Sequence, residues 1–265
     1  MTGLKLDVTI LLGFGLAIFS LLAAVLLEGA SVAALGSLSA AVLVLGGTVG
    51  ATIISFPKKD LLGAFNVIKA AFTKKEEKYS ELVGQIVELG QFARREGLLA
   101  LEARLEETED RFLRQGLQLV VDGVDPELVR GILETELSGL RTRHRQGAGL
   151  LETAGGYAPT MGIIGTVMGL VHVLSNLSNA AKLGPAIAVA FLATFYGIST
   201  ANLFWLPIAG RLKALSHVEL ILREIAIEGV LSIQAGDNPR SLEQKLKSFI
   251  PPGERLNREE TGETG

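Results

Sequence analysis

The apolar and polar positions of this chain separate into long blocks rather than alternating stripes. Four stretches hold no Asp, Glu, Lys or Arg: Val8–Leu27, Gly29–Phe56, Thr153–Ala181 and Leu183–Gly210. Each is at least as long as the roughly 20 residues a helix needs to cross a bilayer. The pattern predicts transmembrane helices over about 8–27, 32–56, 155–178 and 185–209. The first two are joined by a few residues around Glu28–Ser31, the last two by a turn around Asn179–Gly184. They make two hairpins, 1–56 and 153–210. The first stretch is long for the apolar part of a signal peptide, and a second span follows at once, so it reads as a retained helix.

Between the hairpins lies a polar segment, 57–152, and after them a polar tail, 211–265. Their apolar positions recur at helical spacing: Leu82, Ile86, Leu89 and Ala93; Leu98, Leu101 and Leu105; Leu113, Leu117 and Val120. Gly97 is expected to break the first run. Asp125-Pro126-Glu127 has the form of a helix start, with Asp125 as cap and Pro126 in the first turn, and a helix through Leu140 follows. Val218–Leu231 fits another helix. Asp237-Asn238-Pro239 marks a turn before a short amphipathic helix over Ser241–Phe249, and Gly253–Gly265 reads as disordered. The fold class is therefore all-α integral membrane protein, with four transmembrane helices in two hairpins and a helical cytoplasmic domain.

Charge supplies the orientation. Of 25 Lys and Arg residues, 23 fall in the two polar segments. The positive-inside rule places both segments and both termini in the cytoplasm. Very little remains outside, which argues against a receptor for external ligands. The formal net charge of -3, without a basic stripe, argues against nucleic acid as a partner. The chain has no cysteine, which excludes disulfides and thiolate chemistry. No Ser/His/Asp set, phosphate-binding loop or metal cluster stands out. His144 and His217 read as surface residues, an enzyme is the least favoured class, and no cofactor is expected.

Within the spans the only ionisable side chain is His172. Ion pathways through lipid use ionisable or well-placed polar groups. The chain alone thus lacks an obvious carrier for a cation, and a partner must supply the carboxylate. His172 reads as hydrogen-bonded to a neighbour in preference to a proton relay. Gly162, Gly165 and Gly169 form a small-residue stripe on the third span, and Gly46-x-x-x-Gly50 repeats the spacing on the second, where ordinary packing within the bundle is expected. Thr166 and Thr194 sit near the middle of the third and fourth spans. Each hydroxyl can bond back to its own helix or offer an oxygen to a hard cation, and the sequence leaves both open. Pro159 and Pro207 lie at matched depth on the paired helices. Simple bending and a shared hinge are both consistent with them.

These residues carry a resemblance. Tyr157-Ala-Pro-Thr-Met-Gly-Ile-Ile-Gly-Thr-Val-Met-Gly-Leu-Val171 is similar to the third transmembrane segment of the MotA/PomA flagellar stator subunits, within the wider MotA/TolQ/ExbB superfamily. Gly184-Pro-Ala-Ile-Ala-Val-Ala-Phe-Leu-Ala-Thr-Phe-Tyr-Gly197 and Asn202-Leu-Phe-Trp-Leu-Pro-Ile-Ala209 resemble the fourth. Ala93-Arg-Arg-Glu-Gly-Leu-Leu-Ala-Leu-Glu102 resembles the rotor-facing segment. Four spans set the chain apart from TolQ and ExbB, which have three.

The resemblance implies an A-type stator subunit of the bacterial plasma membrane. It implies a homo-oligomer, a ring of five such chains around two B-type (MotB/PomB-like) subunits that supply the ion-binding Asp. Pro159 and Pro207 fall on positions of conformational coupling. Arg94 and Glu102, with Arg95 beside them, fall on charges facing the flagellar rotor switch protein. Thr166 and Thr194 fall on threonines near the partner's Asp. Threonine at both positions resembles sodium-driven members, so the transported ion is expected to be Na⁺ in preference to H⁺. The rival expectations are a four-span scaffold without ion transport and a self-contained transporter, the latter disfavoured by the charge-free spans.

Overall fold

Asp7 opens the first helix. Its carboxylate accepts the N–H of Thr9 at 3.0 Å, which satisfies one of the donors a helix start leaves free. The computed structural model describes residues 7–73, 79–178 and 180–250. Helix α1 (Val8–Leu27) is followed by a 3-10 turn (Val32–Leu35) and by α2 (Leu38–Ser55), which contains a π turn at Val42–Gly46. Then come α3 (Lys58–Ala71), α4 (Tyr79–Glu96), α5 (Arg111–Val121), α6 (Pro126–Leu174), α7 (Ala180–Thr200), α8 (Leu206–Ala235) and α9 (Pro239–Lys247). A second π turn, Ala201–Trp205, joins α7 to α8. No strand occurs among the described residues. Four helical stretches there are long and apolar enough to cross a membrane: Val8–Leu27, Leu38–Ser55, Pro126–Leu174 and Leu183–Ala235.

Several expected boundaries moved. The second span starts at Leu38 rather than near residue 32, because Gly36 and Ser37 are extended and Ser37 caps the helix. No helix ends at Leu140: α6 runs unbroken to Leu174. The polar stretch 141–152 looks like a boundary in composition, yet it holds no proline, and composition alone does not break a hydrogen-bond ladder. Val218–Leu231 is likewise the interior of α8 and not a separate helix. The short helix begins at Pro239, two residues before the expected start, with Asn238 accepting the N–H of Arg240. The stretch 253–265 lies outside the described residues.

The chain divides into two compact units, Met1–Lys75 with His144–Leu215, and Glu76–Arg143 with Ser216–Gly265. The first unit holds the apolar helices. Leu12, Phe19, Ile54 and Ile163 are largely exposed there, a surface that suits lipid or an apolar protein neighbour and not water. The expected domain boundary at residue 57 does not coincide with this division. Helix α3 belongs to the apolar unit, because Leu61, Ala64, Ile68 and Ala71 pack with Leu150, Leu151, Ile208 and Ala209. Arg211 pairs with Asp7, whose own N–H donates to the carbonyl of Phe72 at 3.0 Å.

The second unit has a conventional core of Ile86, Leu101, Leu113, Leu117, Leu133, Ile225 and Leu246, all buried. Gly116 and Gly229 let helices close on it: a Cβ on Gly229 would lie 2.5 Å from the side chain of Ile86. Asp110 caps α5 by accepting the N–H of Leu113 at 2.9 Å. The same carboxylate receives Arg223 at 2.8 and 2.7 Å, and the guanidinium lies 5.2 Å from the Phe112 ring centre.

Candidate functional site

The third and fourth spans meet along backbone. A Cβ on Gly162 would lie 2.8 Å from the carbonyl oxygen of Ala193, and one on Gly169 would lie 2.5 Å from the Ala190 Cβ. A Cβ on Gly165 would strike Ala193 at 2.5 Å and Leu43 of α2 at 2.9 Å. The expected stripe on α6 therefore lies against a complementary one on α7. The sequence reading did not single out that second stripe, Ala190, Ala193 and Gly197, although its spacing places it on one helical face. Gly197 meets main chain, since a Cβ there would lie 2.5 Å from the Ala158 carbonyl oxygen and 3.1 Å from the Pro159 Cα.

This close approach brings the two threonines together. Thr166 Oγ1 and Thr194 Oγ1 are hydrogen-bonded to each other. Thr166 Oγ1 also lies 3.0 Å from the carbonyl of Ala190 and 3.2 Å from that of Gly162, which Thr194 Oγ1 approaches at 3.4 Å. Both side chains are partly buried. Two hydroxyls have two hydrogens to give, so one can donate to the other and the second to a carbonyl. The question left open by the sequence has a joint answer: the hydroxyls bond back to the helices and also assemble four oxygens in one place. Oxygen donors in such a group suit a hard cation.

The prolines frame the same contact. Proline lacks an N–H, so Pro159 leaves the Gly155 carbonyl without its ladder donor. A Cβ on Gly155 would meet Leu206 at 2.6 Å and Trp205 at 3.3 Å, the two residues preceding Pro207. The π turn at Ala201–Trp205 ends with the N–H of Leu206 donating to the Ala201 carbonyl five residues back. The two weakened segments thus lie side by side.

Two expectations are corrected. Gly46 and Gly50 have nothing within 4 Å of a Cβ position, so their spacing marks no packing contact in this chain; Gly47 takes that place against Met161. The ring of His172 makes no hydrogen bond among the described residues. It lines a cavity of about 570 Å³ with Ser39, Met168, Gly169, Pro185 and Val189.

Arg94, Arg95 and Glu102 belong to the other unit. The two arginines end α4, Gly97 turns the chain at a φ of 92° that side chains resist, and the 3-10 turn Leu98–Leu101 leads to Glu102. All three charges are exposed and carry no ion pair among the described residues. The neighbouring Arg104 differs, being held by Glu107 at 2.8 Å and set 5.1 Å from the Phe92 ring centre. The hydrogen bond to Glu107, then its charge, raises the Arg104 guanidinium above its ordinary pKa.

A model of the MotA/TolQ/ExbB proton channel family matches residues 104–225. Motility protein A of Bacillus subtilis is 41% identical over 97% of this chain and 96% of its own length. Chemotaxis protein PomA of Vibrio alginolyticus is 36% identical over 94% of this chain and 98% of its own. A solved structure of the flagellar MotAB stator complex from Bacillus subtilis superposes with a TM-score of 0.88 at 41% identity, covering 95% of this chain and 99% of that one.

Proposed function

Because the chain belongs to the motility protein A family, within the MotA/TolQ/ExbB proton channel family, we propose that it is the A-type stator subunit of a flagellar motor. It is a membrane-embedded, non-enzymatic motor component that works in an oligomeric complex with a MotB-like partner. In the finer reading, five copies ring two B-type chains, both termini face the cytoplasm, and sodium flow turns the ring against the rotor.

The observation that carries the finer reading is the Thr166–Thr194 oxygen group, in spans that hold no carboxylate of their own. A cation is costly in hydrocarbon without a counter-charge, so the partner's Asp supplies the charge and the threonines supply neutral oxygens. Binding neutralises the Asp and changes its fit against α6 and α7, and release to the cytoplasm resets it. One elementary charge crossing about 100 mV yields roughly 2.3 kcal/mol, enough to bias two packed arrangements of similar energy. Pro159 and Pro207 let the helices move between them. Arg94, Arg95 and Glu102 pass the motion to complementary charges on the rotor switch protein.

Swimming speed measured against external sodium at fixed pH, with and without a protonophore, tests the ion. Speed is expected to saturate with sodium and to survive the protonophore. Speed that ignores sodium and collapses with the proton gradient overturns the sodium reading. Cation conduction by the purified chain without its partner overturns the shared site.

A further inference from the structure

The link between the first two spans contains a break that the chain mends from a distance. After the 3-10 turn Val32–Leu35 the backbone becomes extended at Gly36 and Ser37 before α2 begins. Such a break leaves main-chain groups without ladder partners, which is costly where water is scarce. Ala34 and Gly36 donate back to the carbonyls of Ser31 and Ala33, and Ser37 Oγ accepts the N–H of Ala40. Among the groups these bonds leave over are the Leu35 carbonyl and the Ser37 N–H. Both go to Tyr196 of α7: its hydroxyl accepts from Ser37 N–H at 2.9 Å and donates to the Leu35 carbonyl.

Tyr196 stands two residues after Thr194, which puts the two side chains about 200° apart around the helix. One faces the third span, the other the second. A helical side chain leans toward the helix N-terminus, and the ring accordingly packs against the cluster of Ala193, Ala40 and Val44. Ala193 is buried and is the residue on which Gly162 and Gly165 close. The hydroxyl therefore fixes the rotational setting of the stretch of α7 that presents Thr194 to Thr166.

We propose that Tyr196 is a positioning residue for the threonine pair, tying the link between the first two spans to the ion site through α7. The inference rests on reading Thr166 and Thr194 as that site.

The test uses the full chain with its partner in native membranes. The chain has no cysteine, so Thr166→Cys with Thr194→Cys provides a lone thiol pair. Its oxidative closure is followed by counting free thiols with a maleimide mass tag. In the Tyr196→Phe background closure is expected to slow by at least about threefold, the two hydrogen bonds of the hydroxyl being lost together. In threonine-intact cells Tyr196→Phe is expected to shift the half-saturating sodium concentration, or the pH midpoint, more than the maximal speed. Unchanged closure with unchanged half-saturation overturns the proposal. Slower closure in motors indifferent to both sodium and pH leaves the positioning intact and removes the ion reading. If Tyr196→Phe does not accumulate, amide exchange in the unaltered protein decides: Ser37 is expected to be protected, and rapid exchange there overturns the tie.

Discussion

Gly197 meets the Ala158 carbonyl with no room for a methyl group: a Cβ at Gly197 would lie 2.5 Å from that oxygen. Main chain cannot swing aside as a side chain can. Gly197→Ala is therefore expected to part α6 from α7 and destabilise the protein by about 1–3 kcal/mol. Thermal unfolding of the detergent-purified protein checks this, and a midpoint equal to that of the parent contradicts it.

Gly46→Ala and Gly50→Ala offer the reverse case. Nothing stands within 4 Å of either Cβ position, and alanine is the better helix former by roughly 1 kcal/mol in a helix interior. Unchanged or slightly raised unfolding midpoints are expected in the same assay. A loss as large as that for Gly197→Ala would mean that the second span packs on this face.

In the cytoplasmic unit, Asp110 serves both as the cap of α5 and as the two-oxygen partner of Arg223. Asp110→Ala removes both roles and is expected to cost about 2 kcal/mol, the pair being only partly buried. Arg223→Lys keeps a single cationic nitrogen able to reach both Asp110 oxygens but loses the flat face over Phe112, so a smaller loss than for Asp110→Ala is expected. Chemical denaturation monitored by helical signal separates the two substitutions from the parent.

Pro159→Leu restores an N–H able to close on the Gly155 carbonyl and should stiffen α6. Stators are expected to assemble and localise normally but not to turn, as seen by pairing immunoblots with tethered-cell rotation. Failure to assemble would point to folding as the proline's role.

Arg94 is exposed and has no ion-pair partner among the described residues, so Arg94→Glu should leave the fold intact. Exposed pairs contribute at most about 1 kcal/mol each, and torque should weaken rather than vanish. Reversal of the opposing charge on the rotor protein is expected to recover it. If no rotor reversal ever restores speed, this face is not the contact.

How much of this was legible in the sequence depended on the range of each interaction. The spans and both threonines stood out because a charge-free run of about 20 residues has few structural alternatives, and two hydroxyls within such runs are conspicuous. The continuity of α6 was not legible: residues 141–152 change the composition without supplying a helix breaker. Gly46-x-x-x-Gly50 misled because spacing defines a face but not whether anything occupies it. Tyr196 was invisible as a site residue because its two acceptor and donor partners lie about 160 positions earlier.

The salt bridge between Asp7 and Arg211 gives the bundle an asymmetry. Near it, the start of α1, the end of α3 and the early part of α8 are fastened by opposite charges and a main-chain bond. At the other end of the first hairpin the tie is neutral, the Tyr196 hydroxyl on Leu35 and Ser37, so added salt should loosen the charged end and leave the neutral one as it was.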